Sequence, residues 1–188
     1  MGAFFSYLLL AVLGQNILLD RAVGLEQMIT AARHRPWLWR LTGLVGVCTV
    51  PGVMMAWLFS RLVTGRVAYV LLAVLYLLLC GGVYFAADRL LLRFRPETHD
   101  RWAPILPHAL INAAAVGTPL SVLTQGIPHW YGALGFGFGG ALGLGLAVVL
   151  VLNGTDLLDS PGIPAAFRGT PALLIYIGIL SLGFCAFF

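Results

Sequence analysis

The chain has 188 residues, 60% of them hydrophobic and only 10% charged, with a mean hydropathy of +0.95. A soluble domain carries about 25% charged and about 45–50% apolar residues, which excludes an ordinary cytosolic enzyme, a nucleic-acid module and a disordered chain. The net charge of +4 comes from 11 basic residues, all arginine, and they sit between apolar runs, where they orient a membrane protein and leave no nucleic-acid footprint. The absence of lysine also removes any phosphate-binding P-loop.

A membrane helix needs about 20 mainly apolar residues. Six runs meet that need: residues 3–19, Trp37–Phe59, Val67–Ala87, Ile105–Leu123, Trp130–Leu152 and Pro171–Phe188. The first could imitate a signal peptide. No positive charge precedes it, however, and no small-x-small cleavage site follows, so it reads as a spanning helix. Arg33, Arg35 and Arg40 follow the first run. Arg89, Arg93, Arg95 and Arg101 follow the third, and Arg168 follows the fifth. Only Arg61 and Arg66 follow the second, and no charge follows the fourth. The positive-inside rule then places the arginine-rich loops in the cytoplasm and both termini outside, in a bacterial inner membrane. Trp37, Trp39, Trp102 and Trp130 fall at run ends, as an aromatic belt requires.

The count divides one membrane domain into two repeats, about residues 1–95 and 96–188. With three spans each, the halves have opposite topology. The expected fold is an all-α integral membrane protein: six transmembrane helices as two inverted three-helix repeats, with broken first and fourth helices. The first break is signalled by Asn16 in Gly14-Gln15-Asn16 and by Gly24. The second is signalled by His108, Asn112, Gly117, Thr118 and Pro119. Paired interruptions in corresponding segments point to a central site between inverted repeats.

Asp20, Arg21 and Glu26 come first among residues able to carry chemistry. A charge at the bilayer centre costs roughly 2.5–3.5 kcal/mol on insertion scales, so such groups pair or face a cavity. Two placements are open. The first span ends at Leu19 and these charges are wet, or a half-helix break near the midplane turns Glu26 toward its counterpart in the second half. His108 and Asn112 are four apart and share a helix face. With Glu26 they could bind a cation or relay a proton, although a hydrogen-bonded contact between helices is the favoured account. No metal site is expected: Cys48, Cys80 and Cys185 are far apart, each inside an apolar run, and read as inert buried thiols.

Gly135-Phe136-Gly137-Phe138-Gly139-Gly140 formally matches a dinucleotide fingerprint. No strand precedes it and no acidic ribose partner follows, so that reading is rejected. Gly135, Gly139 and Gly143 instead recur every four residues, a spacing that lets another membrane helix approach closely. The loop with Asp156, Asp159, Pro161, Pro164 and Arg168 reads as a solvated, proline-stiffened turn.

Several blocks resemble the six-helix membrane subunits of the Rnf and Nqr ion-translocating oxidoreductases, of the RnfA/NqrE type. Asp159-Ser-Pro-Gly-Ile-Pro-Ala-Ala-Phe-Arg168-Gly169 resembles that family's D-V-P-x-x-x-R-G loop with an insertion. It leads into Ile179-Leu-Ser-Leu-Gly183-Phe184, which is similar to the family's last helix. Ile105-Leu-Pro107-His-Ala-Leu-Ile-Asn112-Ala113 resembles L-P-L-I-T-x-N-C. Asn16 through Gly24-Leu25-Glu26 resembles N-F-x-L-x-x-x-L-G-L-C, and Tyr131-Gly132 with the glycines after it resembles the start of the fifth helix. The resemblance implies the fold, external termini and a partner subunit of opposite orientation. In the family, one cysteine per half ligates half of an iron–sulfur cluster. Here those positions are Glu26 and Ala113. Alanine ligates nothing and a carboxylate suits a soft metal poorly, so no cofactor is expected in this chain.

The expectation is therefore an Rnf/Nqr-like membrane subunit of an ion-translocating electron-transport complex without its own cluster. It is embedded in lipid beside a homologous subunit of opposite topology or a second copy of itself. The alternatives are a small-solute or ion transporter reusing the vacated centre, and a structural scaffold. No catalytic residue of its own is identified.

Overall fold

The computed structural model describes residues 2–21, 35–62, 66–94, 96–103, 105–110, 112–158, 164 and 167–185. Every element among them is helical and none is a strand, so the expected all-α membrane class is borne out. In chain order the helices are α1 (Gly2–Leu9), α2 (Ile17–Arg21), α3 (Arg35–Leu62), α4 (Arg66–Phe94), α5 (Pro96–Trp102), α6 (Leu106–Leu110), α7 (Ala113–Gln125), α8 (Trp130–Leu158) and α9 (Thr170–Cys185). Among the described residues, Gly2–Asp20, Pro36–Leu62 and Trp130–Thr155 are long and apolar enough to cross a membrane, and Thr170–Phe184 is a shorter apolar helix. The third expected run falls on the 29-residue α4.

The first segment is not one regular helix. α1 widens into a π-helical turn over Leu10–Gly14, where the Gln15 amide donates to the Leu10 carbonyl across 2.7 Å. The extra residue per turn precedes an interruption at Gln15 and Asn16, after which α2 starts. Single π turns inside α-helices often mark functional positions.

α8 lies at the centre, against α1, α2, α3, α7 and α9. Its glycines set the close approaches. A methyl on Gly135 would fall on the Phe4 carbonyl, one on Gly139 on the Leu8 carbonyl, and one on Gly143 within 3.2 Å of the Ala11 carbonyl. These contacts advance together along both segments, so α1 and α8 run in the same direction. α3 runs opposite to α8, because Gly46 meets Ala141 while Gly137, nearer the start of α8, meets Val50 and Val53 further along α3. α7 follows α3: Gly52 abuts Pro119, and Trp57 reaches Ile127.

Aromatic and arginine contacts mark the two ends of this bundle. At one end the Arg40 guanidinium lies over the Trp102 ring at 5.9 Å and Trp37 meets His108 edge-on at 5.8 Å. At the other, Trp57 Nε1 and Arg61 Nη2 donate to the Ile127 carbonyl across 3.0 and 3.1 Å, and Arg61 also donates to Pro128. From Arg40 to Arg61, α3 rises about 32 Å at 1.5 Å per residue, close to the roughly 30 Å hydrocarbon thickness of a bilayer.

Candidate functional site at two helix breaks

Asn16 occupies the first break as an N-cap. Its backbone carbonyl accepts from the Asp20 amide at 2.7 Å, while its side-chain Oδ1 accepts from Leu18 and Leu19 amides at 3.3 and 3.5 Å. Asparagine suits this position because its short amide satisfies donors that a helix start leaves unpaired. The other half of the amide faces the opposite way. Nδ2 donates to the Val12 carbonyl at 3.2 Å and to the Gly143 carbonyl at 2.8 Å. One buried side chain thus closes both ends of the interruption and ties it to the middle of α8. Next to it, Gln125 at the end of α7 donates through Nε2 to Gln15 Oε1 across 2.6 Å.

Asn112 stands at the second break. Its carbonyl accepts from the Val116 amide at 3.1 Å, opening α7, and the residue is buried. The break therefore falls between α6 and α7, with Ala113 as the first residue of α7. Gly117 and Pro119, expected at this break, lie inside α7, which continues through both. Pro119 is accommodated because it is buried against Gly52 of α3, and neighbouring helices offset a missing membrane N–H. The chain leaves its helix after Leu110, so His108 and Asn112 do not share a helix face; His108 is exposed beside Trp37 and Asn112 is buried.

The two breaks converge on one apolar cluster. Leu18 and Leu19 from α2, Ile105 and Ala109 before the second break, Ala115 after it, and Leu144, Ala147 and Val148 of α8 all bury together. Buried hydroxyls accompany them on α7: Thr118, and Ser121, which donates to the Gly117 carbonyl at 3.0 Å. The first segment and α7 run oppositely, since α1 parallels α8 while α7 parallels α3.

Of the other expected site residues, Asp20 is exposed in α2 and Arg21 closes that helix. Glu26 and Gly24 lie outside the described residues. Gly135, Gly139 and Gly143 form the face of α8 against the first segment. The Gln15–Gln125 pair and the Trp57–Arg61 clamp on Ile127 were not singled out from sequence. Gln125 carried a weak signal, a long polar side chain just before Gly126, whose φ is +57°.

No family model matches the chain. Several curated relatives do, each named as the A subunit of an ion-translocating oxidoreductase complex. The protein from Pectobacterium atrosepticum is 32% identical over 72% of this chain and 70% of its own length. That from Syntrophotalea carbinolica is 29% identical over 94% of this chain and 92% of its own. That from Cereibacter sphaeroides is 26% identical, covering 100% of this chain and 97% of its own.

Proposed function

The chain belongs to the RnfA family of ion-translocating oxidoreductase complexes, and from that premise we propose that it is a cluster-free member, paired with a homologous membrane chain of opposite topology. Its place as a bacterial membrane subunit of an electron-transport complex follows from the family. The observation that carries the cluster-free reading is the residue pair at the second break: Asn112 caps α7, and the next residue, at the family's ligand position, is Ala113. Alanine has no lone pair for iron. The counterpart position is Glu26, a hard carboxylate where a soft thiolate is needed. These residues do not fit an iron–sulfur cluster, and no electron step runs through this position.

Opposed helix directions support the inverted repeat: the first segment against α7, and α3 against α8. The end contacts support the topology. Arg40 over Trp102 joins the first and third loops at one face, and Arg61 on Ile127 and Pro128 joins the second and fourth at the other. The arginine excess on the first face makes it cytoplasmic in the inner membrane, with both termini outside.

Mild-detergent purification of the complex from bacterial membranes tests this reading. A homologous membrane chain should copurify, and the separated chain should hold neither iron nor acid-labile sulfide. A stoichiometric cluster on the chain overturns it. A second reading, an ion or small-solute transporter built on the same centre, draws on the buried polar side chains Asn16, Asn112, Thr118 and Ser121. It requires a homodimer whose vesicle transport is lost in Glu26→Gln, with Asp20, Arg21 and His108 flanking the route.

A further inference from the structure

α5 doubles back on the helix before it. Residues 11 apart in one straight helix would lie about 16 Å apart along its axis. The turn after Phe94 instead brings His99 Nε2 to 2.8 Å from Asp88 Oδ1 of α4. The two side chains are 18% and 23% exposed, so protons reach the pair while most of the surrounding water is excluded. Histidine is the side chain whose ordinary charge change falls between about pH 5 and 8. Protonated, the ring faces the carboxylate with two N–H donors and a full charge. Neutral, it keeps one N–H and loses the Coulomb attraction.

A second contact holds α5 and does not titrate. Trp102, its last residue, lies under the Arg40 guanidinium of α3 at 5.9 Å, and arginine keeps its charge throughout. From there the backbone runs on to the second break. The His99 carbonyl accepts from the Ala103 amide at 2.8 Å, the Trp102 carbonyl from Ile105 at 2.9 Å, and the Ile105 carbonyl from Ala109 at 3.0 Å. Ile105 is buried in the cluster where both breaks converge. A shift of α5 is therefore passed along bonded backbone toward Asn112. On the other side of the pair, Tyr76 is the buried member of α4 among the described side chains, so the core holds α4 lightly. The charged groups around the pair are Arg89 and Arg93 on α4, Glu97, Asp100 and Arg101 on α5, Arg40 on α3 and His108 on α6. Of these, His108 is the other imidazole, exposed beside Trp37, and serves as the control.

We propose that His99 and Asp88 form a proton-dependent clasp that holds α5 against α4 and lets it pivot on Trp102 when released. The clasped state binds the imidazole proton more tightly than the released one. Its stabilisation is therefore complete below the ordinary histidine range and is lost as pH rises through that range. The side of the membrane whose pH is sensed follows from the topology proposed above; the clasp itself stands without it.

The test places nitroxide spin labels at Leu78 of α4 and Glu97 of α5, both exposed, in the full chain held in lipid nanodiscs with its 3 cysteines replaced by alanine. The label-to-label distance distribution should be narrow at about pH 5 and broaden or shift at about pH 8. His99→Gln keeps a donor without the titration and should hold the narrow distribution at both pH values. Asp88→Asn should give the broad one at both, and His108→Gln should respond as the native chain does. Nuclear magnetic resonance of ring-labelled histidines supplies a second measurement: the His99 titration midpoint should fall by about one pH unit in Asp88→Asn. A native distribution identical at both pH values overturns the pivot. A pH response that survives in Asp88→Asn, or a His99 midpoint that does not move, overturns the clasp.

Discussion

Asn16 donates through Nδ2 to the Gly143 carbonyl across 2.8 Å, joining the interruption of the first segment to the middle of α8. The same amide caps α2 through Oδ1. Both functions need an amide: a carboxylate keeps the cap and loses the donor, and a methyl loses both.

Asn16→Ala should therefore lower stability by about 1–3 kcal/mol, the cost of leaving buried polar groups unpaired. Asn16→Asp should cost at least as much, because its charge faces the Val12 and Gly143 carbonyls in an apolar surround. Thermal unfolding of the purified chain in detergent measures both. An Asp variant as stable as the native chain would show that the Nδ2 bonds contribute nothing.

The glycine face of α8 leads to a second expectation. A side chain at Gly135 or Gly139 meets backbone carbonyls of α1, which cannot turn aside as a side chain can. Gly139→Val should cost about 1–3 kcal/mol or more through overpacking and separate α1 from α8. Gly145→Ala, with nothing within 4 Å of the added methyl, should be neutral. Melting temperatures of the two variants, side by side, decide it.

Tyr76 seats its ring in the notch at Gly52, where an added methyl would lie 2.7 Å from Cε2, with Cys48, Met55 and Val116 around it. It is the buried member of α4 among the described side chains. Tyr76→Ala should cost about 3–5 kcal/mol, as for other large aromatic truncations, and should expose α4 to limited proteolysis before the rest of the bundle. Equal protease resistance in native and variant chains would refute the anchoring role.

Trp57 and Arg61 donate to the same Ile127 carbonyl, and the guanidinium lies over the indole at 5.3 Å. Groups that share a partner should couple. Trp57→Phe and Arg61→Ala should each destabilise by about 1 kcal/mol, the net worth of a typical hydrogen bond, and the double variant should depart from additivity by about 0.5 kcal/mol or more. A double-mutant cycle on unfolding free energies reads the coupling directly.

Much of the helical content was legible because lipid as solvent leaves the chain few alternatives. Runs of apolar residues must become helices that satisfy their own backbone, and arginines must sit at the ends. The four-residue glycine period likewise announced a close helix contact. The second break was legible in kind and displaced in position: glycine and proline at 117 and 119 look like breakers by local propensity, yet α7 runs straight through them, with Pro119 packed against Gly52, and the interruption forms at Asn112, whose backbone carbonyl accepts the first bond of α7 from the Val116 amide.

What the sequence determined by itself was the membrane class, the helical content and the presence of interruptions, all consequences of hydropathy and local backbone chemistry. Only the tertiary structure decided that Asn16 meets Gly143, that Gln15 meets Gln125, and that Arg61 holds the turn before α8. Those contacts join residues far apart in the chain, and their geometry depends on helix direction and depth, which no local pattern encodes.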